Sequence, residues 1–178
     1  IPEGFVKVKG TTITGNESWK PSSEVFVSGR SITIPDMYVC DHEVTQAEYE
    51  KYCMYGSDSP SSSYGDGDNY PTYWVNWYDA IVYCNLRSIA EGLTPAYKIG
   101  EETDPAKWSG IVGDSANGYC GPSDRNDTWD ALTYDKKANG YRLPTEAQWD
   151  YIAREKGTST TTYCGSDTVD EGACYKSN

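Results

Sequence analysis

A chain of 178 residues has about the length of one domain, and its 27 acidic against 15 basic residues leave a formal charge of −12. That balance excludes a nucleic-acid binder, which needs a dense basic face to neutralise phosphates, and it argues against electrostatic docking on anionic lipid. The longest apolar run, Ala80 to Cys84, holds about five residues where a membrane span needs ~20, so no membrane span is expected. The chain begins at Ile1 without a charged-then-apolar leader, so any targeting segment is expected to have been removed or to lie outside it. Sixteen Tyr and six Trp stand against two Phe. Aromatics with a polar handle suit cores that also carry hydrogen bonds, and recognition surfaces with one wet side.

In chain order, Phe5-Val6-Lys7-Val8, Val25-Phe26-Val27 and Ile32-Thr33-Ile34 set β-branched and aromatic residues between turn formers and predict short strands. Thr45 followed three residues on by Glu48 predicts a reciprocal helix cap. Tyr49, Tyr52 and Cys53 continue at helical spacing, so a helix is expected near 45–55, with Val44 stapled on Tyr49. The Ser/Gly/Asp stretch from Ser57 to Tyr70 reads as a long loop. Asn76 with Asp79, followed by Trp77, Ala80, Ile81 and Cys84, predicts a second helix near 76–91. Gly56 and Gly92 are placed to end these two helices in the left-handed conformation. Gly100 to Asn139 holds few apolar runs and reads as a second long loop; loops beyond about 15 residues are usually functional or disordered. Thr145 with Gln148, followed by Trp149, Ile152 and Ala153, predicts a third helix near 145–155. Strands first, then helices separated by long loops, indicate an α+β domain.

The cysteines at 40, 53, 84, 120, 164 and 174 contain no C-x-x-C pair. Cys53 and Cys84 fall on apolar helix faces as buried thiols, whereas Cys120, Cys164 and Cys174 lie in Gly/Ser/Asp-rich segments and are disulfide candidates. Six cysteines allow about fifteen complete pairings, and the sequence does not choose among them. Six are many for a reducing compartment, so an extracytoplasmic location, cell surface or periplasm, is expected. A single imidazole, His42, leaves no multi-histidine metal site and is expected to lie at the surface or behind the groups that touch a ligand. Asp66-Gly67-Asp68-Asn69 and Asp124 to Asp130 hint at calcium but lack the offsets of an EF-hand loop, and read as solvated turns.

Three stretches carry a resemblance: MYVCDHEVTQAEYEKYC (37–53), YPTYWVNWYDAIVYCNLRS (70–88) and NGYRLPTEAQWDYIAR (139–154). Together they resemble the formylglycine-generating, sulfatase-modifying enzyme domain over roughly residues 1 to 165. The resemblance implies a C-type-lectin-like fold of short antiparallel strands, about three helices and long loops. It also implies a single domain over 1–178 whose C-terminal part is missing or truncated, with 100–139 as an insertion loop similar to that of a bacterial branch. Arg142, Glu146 and Trp149 are then expected to be structural, like the capping residues Thr45, Glu48, Asn76, Asp79 and Thr145. In the enzymes of this family a reactive cysteine pair and metal-associated oxidation chemistry reside in the C-terminal third. None of the six cysteines here falls in a matching motif. Cys164 and Cys174 lie among Asp167, Asp170 and Glu171, whose charge disfavours a thiolate. Catalysis is therefore not expected. The resemblance places calcium sites late, which makes Asp167 and Asn178 candidate metal ligands.

The same fold family includes variable proteins diversified by retroelements, among them a spirochaete (treponemal) surface protein, in which a rigid scaffold displays a changeable binding face. The expected function is a non-enzymatic module binding a protein or other surface ligand, with Tyr163, Tyr175 and Asn178 as candidate contacts. The alternatives are a formylglycine-generating oxidase of sulfatase cysteines and a structural or oligomer-interface subunit.

Overall fold

The computed structural model describes residues 2–19, 25–154, 161, 166–168 and 171. The chain divides into two compact units, Ile1–His42 with Pro144–Asn178, and Glu43–Leu143.

In the first unit, alternating β-branched residues build two antiparallel pairs. β1 (Phe5–Val8) pairs with β4 (Met37–Cys40), and β2 (Thr11–Ile13) with β3 (Ile32–Ile34). Val8, Ile13 and Ile34 point inward and join Phe26 and Tyr151 in one apolar cluster. The strand expected at 25–27 is instead a turn. Arg30 N–H donates to Val27 O at 3.0 Å, and Gly29 takes φ +82°, so Phe26 enters the cluster from an irregular segment and not from a strand of its own. Pairing with β1 makes a strand of Met37–Cys40, which carries no turn-bounded alternation of its own.

The helix α4 (Glu146–Ala153) closes this unit. The Thr145 hydroxyl accepts from Gln148 N–H, and the Gln148 side chain accepts from Thr145 N–H in return. Its buried residues are Gln148, Asp150 and Tyr151, with Ala147 and Ile152 packed on the same cluster. Trp149, expected on the packed face, is 61% exposed. Tyr151 takes the core position because its hydroxyl reaches Lys9 O at 3.0 Å, which satisfies the polar tip while the ring is buried.

The second unit is organised by α1 (Gln46–Glu50) and α2 (Trp77–Ala90), both opened by reciprocal caps, Thr45 with Glu48 and Asn76 with Asp79. α1 stops at Glu50, short of the expected 55; a turn follows in which Cys53 N–H donates to Tyr49 O at 2.9 Å. Gly56 lies beyond this end, and its φ is not among the positive ones. Gly92, at φ +69°, does terminate α2. The core gathers Tyr49, Cys53, Ile81, Val82, Tyr83, Cys84, Ala96, Tyr97, Trp108 and Trp129, with Val44 packed on it.

The stretch 100–139 is ordered. It holds a 3₁₀ turn (Pro105–Lys107), a hairpin of β6 (Val112–Asp114) and β7 (Gly118–Cys120), α3 (Asp127–Asp130), and β8 (Thr133–Tyr134) paired with β5 (Tyr97–Lys98). Two polar residues of α2 secure its start and the chain just beyond it. Asn85, fully buried, donates to Tyr97 O at 2.7 Å and Thr103 O at 2.8 Å and accepts from Tyr97 N–H at 3.1 Å. Ser88 Oγ accepts from Tyr141 N–H at 2.8 Å. Trp108 and Trp129 cross edge-on at 5.2 Å, and their indole N–H groups donate to Glu102 O and Ser109 O. Among the described residues no helix is long and apolar enough to cross a membrane.

Candidate functional site

The most distinctive surface belongs to the second unit and grows from one buried amide. Gln46, the first residue of α1, is 3% exposed. Its Nε2 donates to Gly65 O at 3.1 Å and Pro71 O at 3.2 Å, and its Oε1 accepts from Gly67 N–H at 3.0 Å. A single side chain thus takes up three backbone groups of the 57–72 loop, so this Ser/Gly/Asp stretch holds a defined shape without regular structure. Tyr73 adds a second post: its hydroxyl accepts from Ser61 N–H at 2.7 Å and lies 3.0 Å from Gly65 O. Tyr55 and Thr72 join their hydroxyls at 2.6 Å. Gly65, at φ +97°, leaves room for the Tyr70 ring, which a Cβ would meet at 2.5 Å.

On this frame four large aromatics face solvent: Tyr64 (64% exposed), Tyr70 (51%), Trp74 (56%) and Trp77 (49%). Tyr64 stacks edge-on against Tyr73 at 6.4 Å, and Trp74 lies 6.3 Å from Tyr73. Trp74 sits at φ +61°, the one positive φ at a described non-glycine residue. A bulky side chain held in the left-handed region is strained, and the loop overrides that preference to keep the indole outward. Asp58, Asp66 and Asp68 on the same loop are exposed. Sequence reasoning did not single out Gln46, Tyr73 or Trp74. The available signal was the aromatic density of Tyr70, Tyr73, Trp74, Trp77 and Tyr78 directly after a Ser/Gly/Asp run.

The thiols of the second unit are built for burial. Burial pushes Cys53 well above the usual thiol range, with Asp79 adding in the same direction, and it pushes Cys84 up to about 12. Cys120 shifts upward for the same two reasons. At neutral pH these three are neutral thiols, so none of them is a ready nucleophile. Cys120, a disulfide candidate by composition, is a buried free thiol. Its neighbour Gly121 donates its N–H to Asp79 Oδ1 at 2.8 Å, placing the residue in the core beside the α2 cap.

The remaining expected residues fall as follows. Thr45, Glu48, Asn76, Asp79 and Thr145 are helix-cap residues. Arg142 Nη1 donates to Leu143 O at 2.9 Å, Glu146 is exposed in the first turn of α4, and Trp149 is exposed. The stretch from Asp124 to Asp130 opens a short helix. Asn126 caps α3, Arg125 pairs with Asp127 and Asp130, and the Tyr78 hydroxyl donates to Asp130. Asp167 is exposed and joins no group of three metal-ligating side chains among the described residues. Tyr163, Tyr175, Asn178, Cys164 and Cys174 lie outside the described residues.

Comparison with known proteins agrees with this architecture. The model of the sulfatase-modifying factor enzyme 1-like domain matches residues 1–178. A curated relative, the chaperone protein LppX of Paenibacillus barcinonensis, is 39% identical over 159 residues, which is 88% of this chain and 50% of that protein. The chain therefore spans half the length of the curated relative it matches. Among solved structures, CarF superposes with a TM-score of 0.63 at 23% identity, over 94% of this chain and 64% of CarF. Treponema denticola variable protein 1 superposes with a TM-score of 0.59 at 22% identity, over 96% and 63%. These likenesses show the fold, the α+β, C-type-lectin-like arrangement expected from the resemblance. The chain belongs to the sulfatase-modifying factor enzyme 1-like, or formylglycine-generating-enzyme-like, domain family.

Proposed function

We propose that this domain is a non-enzymatic protein-binding module, displayed outside the cytoplasm, that uses the Tyr64, Tyr70, Trp74 and Trp77 surface to hold exposed apolar segments of other proteins. The observation that carries the reading is Trp74: a strained residue keeps an indole in water on a loop anchored by Gln46. Trp and Tyr contribute large contact areas at low entropic cost, and a pre-shaped loop avoids the cost of ordering on contact. A relative named as a chaperone supports protein as the ligand class, and a neighbour named as a variable protein fits a scaffold that presents a binding face. The neutral, buried thiols favour binding over cysteine-based oxidation.

The test is a fluorescence-anisotropy titration of a reduced, carboxymethylated, permanently unfolded protein, with its native form as control. The domain is expected to bind the unfolded form, and Trp74→Gly to weaken binding at least about tenfold, as for a hot-spot aromatic. Equal affinity of the variant, or oxidation of a C-x-P-x-R peptide cysteine by this chain with copper and reductant, overturns the reading.

A further inference from the structure

We propose that Cys40 and His42 form a binding site for a thiophilic divalent ion of the zinc class, with Asp41 as the group that orients the imidazole. The site follows from the strand ladder of the first unit. Cys40 is the last residue of β4, paired with Phe5 of β1, and Asp41 N–H donates to Gly4 O at 2.9 Å. The backbone is thus held at the point where the chain leaves the sheet, and three chemically distinct donors gather there. Cys40 Sγ, an Asp41 carboxylate oxygen and a His42 ring nitrogen all lie within 4.8 Å of one another. No other group of three histidine, cysteine or carboxylate side chains gathers this way among the described residues.

The distances fit a shared ion. Cys40 Sγ lies 3.8 Å from His42 Nε2 and 3.7 Å from Nδ1. With Zn–S near 2.3 Å and Zn–N near 2.0–2.1 Å, a tetrahedral or slightly opened site separates sulfur and nitrogen by about 3.6–3.8 Å. Asp41 Oδ1 lies 2.7 Å from His42 Nδ1. A carboxylate there accepts the Nδ1 proton, fixes the tautomer and directs the Nε2 lone pair to a metal, the arrangement common behind metal-bound histidines. Thiolate and imidazole together select zinc-class ions over calcium or magnesium. Binding deprotonates Cys40 and releases that proton to solvent, with water filling the remaining coordination positions.

Gly4 belongs to the same design. It sits at φ +72°, and a Cβ there would lie 2.8 Å from His42 Cε1, so glycine lets the backbone run against the imidazole. The exposure of Asp41 and His42 leaves the site open to ions from solution.

The test is a titration of the full 178-residue chain with Co²⁺, in the presence of a non-chelating reductant. A thiolate-to-cobalt charge-transfer band should grow to saturation at about one equivalent and disappear when Zn²⁺ is added. Cys40→Ser should abolish the band, and His42→Gln, an exposed substitution that leaves the sheet intact, should weaken binding at least about tenfold. Asp41→Asn should weaken it by about 10–100-fold while keeping the band's shape, the signature of an orienting partner. Far-ultraviolet circular dichroism checks that each variant is folded. Absence of the band in the native chain, or its persistence in Cys40→Ser, overturns the proposal.

Discussion

Trp74 shows how one residue can carry both a local cost and a use. A left-handed conformation costs an L-residue about 1–2 kcal/mol relative to the right-handed one, and only part of that returns when glycine, with its larger unfolded-state entropy, replaces it. Trp74→Gly is therefore expected to leave stability unchanged or raise it by up to about 1 kcal/mol in urea unfolding, because the exposed indole contributes little to the core. A large loss would mean that the ring is structural. Glu17 carries the clearest pH effect. The N–H of Thr14 donates to its carboxylate at 2.7 Å, the Thr14 hydroxyl at 3.0 Å and the N–H of Gly15 at 2.8 Å. These bonds, led by the Thr14 N–H, lower its pKa from 4.5 to about 2. A depressed folded pKa contributes stability that is present above the unfolded value of 4.5 and lost as pH falls through about 2. Glu17→Gln should therefore show a smaller fall in thermal midpoint than the native chain between those two pH values, and an identical fall would remove Glu17 from the account.

At the scale of elements, the helix starts were legible because a cap is a local device: Thr45, Asn76 and Thr145 need only a partner three residues ahead. Helix ends and buried faces were less so. α1 stops at Glu50, and α4 turns Tyr151 rather than Trp149 inward, where its hydroxyl meets the distant Lys9 O. The 57–72 loop is the sharper case, since its order depends on Gln46, a residue that reads in the sequence only as one position in a helix. Removing that amide leaves Gly65 O, Pro71 O and Gly67 N–H to seek other partners. Gln46→Ala should cost about 2–3 kcal/mol. It should also accelerate hydrogen exchange at Gly67 while leaving the α2 amides protected; unchanged exchange at Gly67 would show that the loop is held by something else.

Across the whole molecule, the charge of −12 is the term the sequence states most directly. Like charges repel within a folded chain, and salt screens them over roughly 10 Å at 0.1 M. Raising ionic strength to about 0.15 M should raise the thermal midpoint in calorimetry, and the chain should show no affinity for duplex DNA under the same conditions. A midpoint that falls with salt would place the stability in ion pairs, such as that of Arg87 with Glu48 and Glu91, instead of in the two apolar clusters.

The sequence by itself determined the family, the α+β class and the three capped helices, because long motifs and reciprocal caps are written in contiguous residues. Only the tertiary structure decided that 100–139 is ordered, with Asn85 holding Thr103 and Trp108 packed on Trp129, that Val25–Val27 lies outside any strand, that Cys120 is a buried thiol, and that Trp74 faces water. It likewise brought Gly4 beside His42, across a strand pair that no local pattern announces. Burial and strand pairing join residues far apart in the chain, and that pairing is a property of the packed whole.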